Sequence, residues 1–483
     1  MTQQHPWWVR SRPLAHRTGT EIFQALYGPL LHQPASLATL VALLESPYPL
    51  PQTPQAQHRH SRYSICAGPP RVVGGQPQLW TPKLGQVLPT LSQRLRQAST
   101  LALVGPEADQ AEQTLPFTGG WLGWLGYDLA WEIERLPSLR ADTLPFPVAL
   151  WYEPETFAVL DHGAQQLWLA ASSAAALDAL EQQLETDLDT EAWSPPPIAR
   201  PAPLSLGLGA SDYQHAVLQA KRHIQAGDVF QVNLSLRFTS QTQTPSWSLY
   251  RQLHRINPSP FACYWRTPWG AVISGSPERL IQLRGQRAET RPIAGTRPRG
   301  ANPEADHAYT QTLLSHPKER AEHIMLVDLE RNDLGRVCTW GTVQVDELLT
   351  VEYYSHVMHL VSNVVGQLQP GRTAVDLIRA VFPGGTITGC PKVRCMTLIE
   401  ALEPVRRSLF YGSCGYLDRR GNLDLNILIR TLLCSQVSPG SPLSTVWGQV
   451  GAGIVADSDP EREWLESLQK AQAQLLALGL SQI

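Results

Sequence analysis

The chain has 483 residues, 43% of them hydrophobic and 17% charged, enough apolar material for a large core and too much for wholesale disorder. Its formal net charge is only -3, so it exerts no broad pull on nucleic acid or anionic membrane, and an anionic ligand must be held by a few placed groups. Seven scattered cysteines without a CxxC pair, an N-terminus (MTQQHPWWVRSRP) lacking a signal-peptide core, and no apolar stretch of bilayer length lead us to expect a soluble, cytoplasmic protein in a reducing compartment.

The N-terminal part is rich in tryptophan. Its segment GGWLGWLGYDLAWEIERLP (119–137) predicts a strand at a crowded sheet followed by a helix, with core packing as its role. Residues 160–190, rich in Ala, Leu and Gln, predict a closing helix. Ser194 to Pro203 (SPPPIARPAP) holds five prolines in ten positions, which neither a helix nor a central strand accepts, so it reads as an extended connector. It divides the chain into an N-terminal region (1–193), the linker (194–203) and a second region (204–478). Beyond it, Asp212 to Ala226 reads as a helix and Val229 to Phe238 alternates like a strand. No internal repeat is present, and the mixture of helices with short β-rich runs predicts an α+β fold.

Four later segments have the makings of chemistry. RPIAGTRPRG (291–300) is a shaped basic loop in which Gly295 lets backbone amides approach an anion. In HPKERAEHIMLVDLERNDLGR (316–336), Pro317 suits a helix start, and Glu322 shares a face with Met325, Leu326 and Leu329. A carboxylate on an inward apolar stripe needs a cation, either a metal or an arginine. The other acids of this helix read as solvated. In FPGGTITGCPKVRCMTLIEALEPVRRSLFYGSCGYLDRRGNLDLNILIRTLL (382–433), a turn from Gly384 to Gly389 leads through Pro391 into a helix. Gly421-Asn422 then makes a hairpin-like break before a strand from Leu425 to Leu432. Arg430, within that apolar strand, calls for a carboxylate, from a ligand or from the protein.

The fourth segment is GQVGAGIVADSDPEREWLESLQK (448–470). Gly451 and Gly453 flank Ala452 where a ligand could come close, and Asp459 with Pro460 forms a helix start. Glu463, Glu466 and Lys470 share one helix face, and two carboxylates one turn apart suit a hard cation. Taken alone, that pattern is more often an ordinary charged face. His356 and His359 are too few for a metal site, and GSCGY (412–416) lacks the final glycine of a nucleophile elbow.

Together, PIAGTRPRG, AEHIMLVDLERNDLGR, YYSHVMHLVS, GGTITGCPKVR, NILIRT and GAGIVADSDPEREWLES resemble the chorismate-utilising family, which includes anthranilate synthase component I, aminodeoxychorismate synthase component I, isochorismate synthase and salicylate synthase. The resemblance covers roughly residues 205–477, with LLES (43–46) and SRYSICAGP (61–69) as looser matches. It implies the family's large fold of antiparallel sheets with surrounding helices. It also implies Mg2+ held by Glu322 and Glu466 with Glu463 assisting, and chorismate as substrate. Arg430 would clamp the enolpyruvyl carboxylate, helped by the backbone around Gly451, Ala452 and Gly453, and Gly295 and Thr296 would line the ring. Phe410 would supply an aromatic surface. His359, near the departing hydroxyl, Thr386 and Lys470 would be the catalytic groups. Ser46, Pro260 and Phe261 match a segment that contacts inhibitory tryptophan in anthranilate synthases; here it is either an effector site or a structural segment.

The resemblance also bears on the reaction. Water-using members carry a lysine base where this chain has Gln231, and glutamine cannot take a proton from water, so amination is expected. No glutaminase segment is recognisable, which implies a separate glutamine amidotransferase subunit. Asn233, VDLERNDLGRVC, Gly412-Ser413 and Ala456 to Ser458 are similar to aminodeoxychorismate synthases. Ala294 is similar to anthranilate synthases, because many aminodeoxychorismate synthases carry a nucleophilic lysine there. The balance favours amination at ring position 4, with position 2 as the alternative.

Overall fold

The computed structural model describes residues 5–46, 62–98, 101–186, 202–300, 302–353, 357–438 and 440–480. Most of the proline-rich connector (194–201) and His356 lie outside them.

Alternating apolar runs from both halves of the sequence build two large sheets. Among the described residues one sheet has 13 strands. Next to one edge Gln231–Thr242 pairs with Ser444–Ile454, then come Thr431–Gln436, Gly270–Ser276 and Phe261–Thr267. Phe261–Thr267 pairs antiparallel with Val41–Glu45, and through it the sheet runs on into N-terminal strands. The other sheet has ten strands, and Gly120–Leu125 from the tryptophan-rich segment pairs with Ser413–Asp418. One apolar cluster, with Trp7, Trp121, Trp124, Trp151, Trp168 and Trp265 buried, packs between elements of both sheets. Trp121 and Trp124 are thus core, as expected of their segment. The strand at Gly120–Leu125 is followed by only one short turn of 3-10 helix and one of α-helix, Ala130–Ile133.

Two helices carry the acidic residues. Pro317–Gly335 begins with His316 as N-cap, and Pro460–Ala477 begins with Asp459, whose side chain accepts from the Arg462 amide. The Pro460 helix lies along the Ser444–Ile454 strand, and the Pro317 helix lies across Ile293–Pro298 and Val357–Gln367. These placements bring the two acidic helices to one cavity.

The predicted strand from Leu425 to Leu432 is broken in two. Leu423–Asn426 belongs to the ten-stranded sheet and Thr431–Gln436 to the 13-stranded one, and Arg430 stands at the crossing with a left-handed φ of 52°. An extended strand would have sent its side chain into one sheet face; the left-handed turn puts it on the cavity wall instead.

Candidate active site

A cavity of about 910 Å³ opens between these elements. Its acidic wall comes from Glu322 on the Pro317 helix and from Glu463 and Glu466 on the Pro460 helix. Gln231 Nε2 donates to Glu322 Oε1 at 2.9 Å, and Lys470 Nζ sits 2.8 Å from Glu466 Oε1. Glu319, one turn before Glu322, also lines the cavity. Its Oε1 pairs with Arg297 at 2.8 Å, while Oε2 is buried without a hydrogen-bond partner. The expectation that other acids of this helix are solvated therefore fails for Glu319, which at i−3 from Glu322 shares the inward face, and also for Asp333, buried against Lys392 Nζ at 2.6 Å, and Glu330, which accepts from the Thr290 hydroxyl at 2.7 Å.

Facing the acids is a basic and polar wall. Arg430 Nη1 donates to the Lys470 carbonyl at 3.0 Å; among the described residues its guanidinium forms no salt bridge, and burial disfavours its ionised form. Lys470 Nζ also reaches the Gly451 carbonyl, at 3.1 Å. His359 lines the same space; burial, aided by the Arg430 charge, lowers its pKa to about 4, so its imidazole is neutral at physiological pH. Gly295, with φ 79°, lies beside it at a bulge where the backbone of Thr296 pairs with that of His359; the Thr296 side chain lies outside the described part.

Gly451 and Gly453 line the cavity, and a Cβ on Gly453 would stand 2.2 Å from Gln231 Nε2. Ala452 does not line it. Strand alternation turns its side chain to the opposite face, where it is fully buried in a second apolar cluster. Phe410 is also corrected: it is fully buried, and the neighbouring Tyr411 supplies the aromatic wall. Tyr411 has φ 64°, and this left-handed residue reverses which of the two side chains faces inward.

Thr386 lines the cavity and donates to Glu278 Oε1 at 2.6 Å. Burial pushes the Glu278 carboxyl up to about 7, with the Thr386 hydrogen bond opposing. Sequence reasoning missed Glu278. Its only signal is a lone acid after the small-residue run Ser274–Pro277. On the floor, Gln231 and Asn233 stand two apart on one strand and face the same space. Gln231 Oε1 and Asn233 Oδ1 are both buried without a hydrogen-bond partner.

Ser46, Pro260 and Phe261 meet elsewhere, at a cavity of about 80 Å³ that also touches Arg62, Arg279 and Asp424. The Ser46 hydroxyl donates to the Tyr63 carbonyl at 2.8 Å. No described helix is long and apolar enough to cross a membrane.

A family model described as chorismate binding enzyme matches residues 53–476. An "Anthranilate synthase component I-like protein" of Synechocystis sp. is 56% identical over 99% of this chain and 93% of its own length. Aminodeoxychorismate synthase component 1 of Bacillus subtilis is 44% identical over 76% of this chain and 78% of its own. The crystal structure of anthranilate synthase component I from Streptococcus pneumoniae superimposes with a TM-score of 0.70 at 30% identity, covering 89% of this chain and 95% of that one. The chain belongs to the chorismate-binding enzyme family and is a chorismate-utilising enzyme of the anthranilate synthase and aminodeoxychorismate synthase type.

Proposed function

We propose that this chain is component I of an aminodeoxychorismate synthase: it replaces the ring hydroxyl of chorismate with nitrogen from ammonia, giving 4-amino-4-deoxychorismate and water. A separate glutamine amidotransferase would supply the ammonia, in keeping with the "component" names of its relatives. The observation that carries amination over hydration is the cavity floor. Gln231 and Asn233 offer two unpartnered carbonyl oxygens and no base, a surface that accepts N–H donors but cannot activate water.

The donor set suits Mg2+. Glu322, Glu463 and Glu466, with Glu319, present only hard oxygen ligands to one cavity, and Glu319 keeps a buried oxygen without a donor. Bound there, Mg2+ would neutralise the ring carboxylate and the charge that moves during loss of the hydroxyl. Arg430, which forms no salt bridge among the described residues, would hold the enolpyruvyl carboxylate. Gly451 and Gly453 leave room for that group, and Gly295 and Tyr411 bound the ring. Glu278, with a pKa near 7, would give its proton to the departing hydroxyl oxygen, which leaves as water. His359, neutral, would orient that hydroxyl without adding charge.

A second reading, amination at position 2 with loss of pyruvate to give anthranilate, is favoured by Ala294, which brings only a methyl to the cavity, and by the name of the 56% identical relative. Purified protein given chorismate, Mg2+ and an ammonium salt decides. A product that becomes para-aminobenzoate only after aminodeoxychorismate lyase is added supports the first reading. Anthranilate fluorescence without the lyase refutes it in favour of the second, and no turnover of either kind refutes both.

A further inference from the structure

The acids of the cavity are already engaged by groups of this chain. Arg297 Nη1 lies 2.8 Å from Glu319 Oε1, Lys470 Nζ lies 2.8 Å from Glu466 Oε1, and the Gln231 amide donates to Glu322 at 2.9 Å. Held this way, the acids do not converge: among the described residues no group of three or more His, Cys, Asp or Glu is set to hold an ion. Arg297 leaves Glu319 Oε2 buried and unpartnered, a half-satisfied carboxylate that a better cation would complete.

We propose that Arg297 is a positioning residue that competes with the metal: it occupies Glu319 in the metal-free protein, and Mg2+ must displace it to bind. The inference rests on the Mg2+-dependent reading above. A cation in contact with a carboxylate cancels much of its field, so the affinity observed for a second cation is lowered by the fraction of time the first is seated. Arg297 and Glu319 are only about one-fifth exposed, 22% and 20%, so solvent weakens their pairing only in part. Once displaced, the guanidinium remains at the wall of the cavity that, on that reading, takes an anionic substrate. Metal and anionic substrate then favour each other's binding, and by linkage the effect is mutual.

The test is calorimetric titration of Mg2+ into the chelator-stripped full chain without substrate. Arg297→Gln is expected to tighten the Mg2+ Kd roughly two- to tenfold. The same substitution in a Glu319→Gln background is expected to change nothing, because the pair it would break is already gone. Circular dichroism and a melting curve establish folding, and Arg297→Met gives the same test should the glutamine variant not fold. Unchanged or weaker affinity in a folded Arg297 variant overturns the proposal. So does tightening that persists without Glu319, which would be a long-range charge effect. Absence of Mg2+ binding by the wild-type chain at millimolar concentration is a distinct result: it removes the metal reading, and the proposal with it.

Discussion

Replacing Arg430 with methionine separates what the fold gains from what the ligand needs. The guanidinium sits at the cavity wall with its charge disfavoured by burial; its described hydrogen bond is to the Lys470 carbonyl at 3.0 Å. Replacing buried ionic groups with apolar ones of similar volume is often neutral or stabilising, by about 1–4 kcal/mol. The lost hydrogen bond costs about 1 kcal/mol. The left-handed backbone, φ 52°, burdens arginine and methionine alike and cancels from the comparison. The net expectation for Arg430→Met runs from no change to about 3 kcal/mol of added stability, or up to about 3 °C in Tm at this chain length. Substrate should respond in the opposite sense. Removing one partner of a buried charge pair costs at least about 2 kcal/mol, so kcat/KM for chorismate should fall by roughly 30-fold or more. Scanning fluorimetry without ligand and steady-state kinetics with ammonium measure the two effects. A variant that melts several degrees lower while keeping its kcat/KM would show that Arg430 serves the fold and not the substrate.

Gly453→Ala places its methyl 2.2 Å from the movable end of Gln231, whereas Gly451→Ala meets the Leu234 carbonyl at 2.3 Å. The first is expected to lower turnover at least about tenfold with Tm nearly unchanged, and the second to lower Tm by several degrees; equal melting curves would contradict the assignment. Glu278 holds its proton in the folded state up to about pH 7, against 4.5 for the ordinary carboxyl, so its contribution to stability is complete below pH 4.5 and is lost as pH rises to about 7. Glu278→Gln, which stays neutral, should flatten that part of the Tm-against-pH curve and reduce kcat; parallel curves would show that the carboxyl does not titrate there. With a pKa near 4, His359 should keep a neutral-imidazole NMR signature from pH 5.5 to 8, and a chemical-shift midpoint near 6.5 would place it in a wetter setting.

Helix starts were the most readable part of the sequence, because capping is local chemistry: Asp459 with Pro460, and Pro317, begin their helices where the residues predict. The glycine pair flanking Ala452 was also visible, but the side of the strand that faces the cavity was not. Alternation fixes that Gly451 and Gly453 share a face, and only the pairing with Leu234 and its neighbours fixes which face it is. The chain turn at Arg430 and the inward place of Tyr411 escaped for a common reason. Each adopts a left-handed φ without being glycine or asparagine, so the chain turns where the residue type gives no warning. Glu319 was set aside although it shares a helix face with Glu322, since an acid beside basic residues in the first turn of a helix is ordinarily satisfied by solvent.

The seam between Val41–Glu45 and Phe261–Thr267 has a consequence for biosynthesis. As the ribosome extends the chain, the first sheet waits with one border unclosed until more than two hundred further residues have emerged, and the Gly120–Leu125 strand waits longer still for Ser413–Asp418. Such a nascent chain invites misassembly with its neighbours. Splitting the gene near the proline-rich stretch would therefore yield two insoluble products rather than a regulatory piece and a working enzyme.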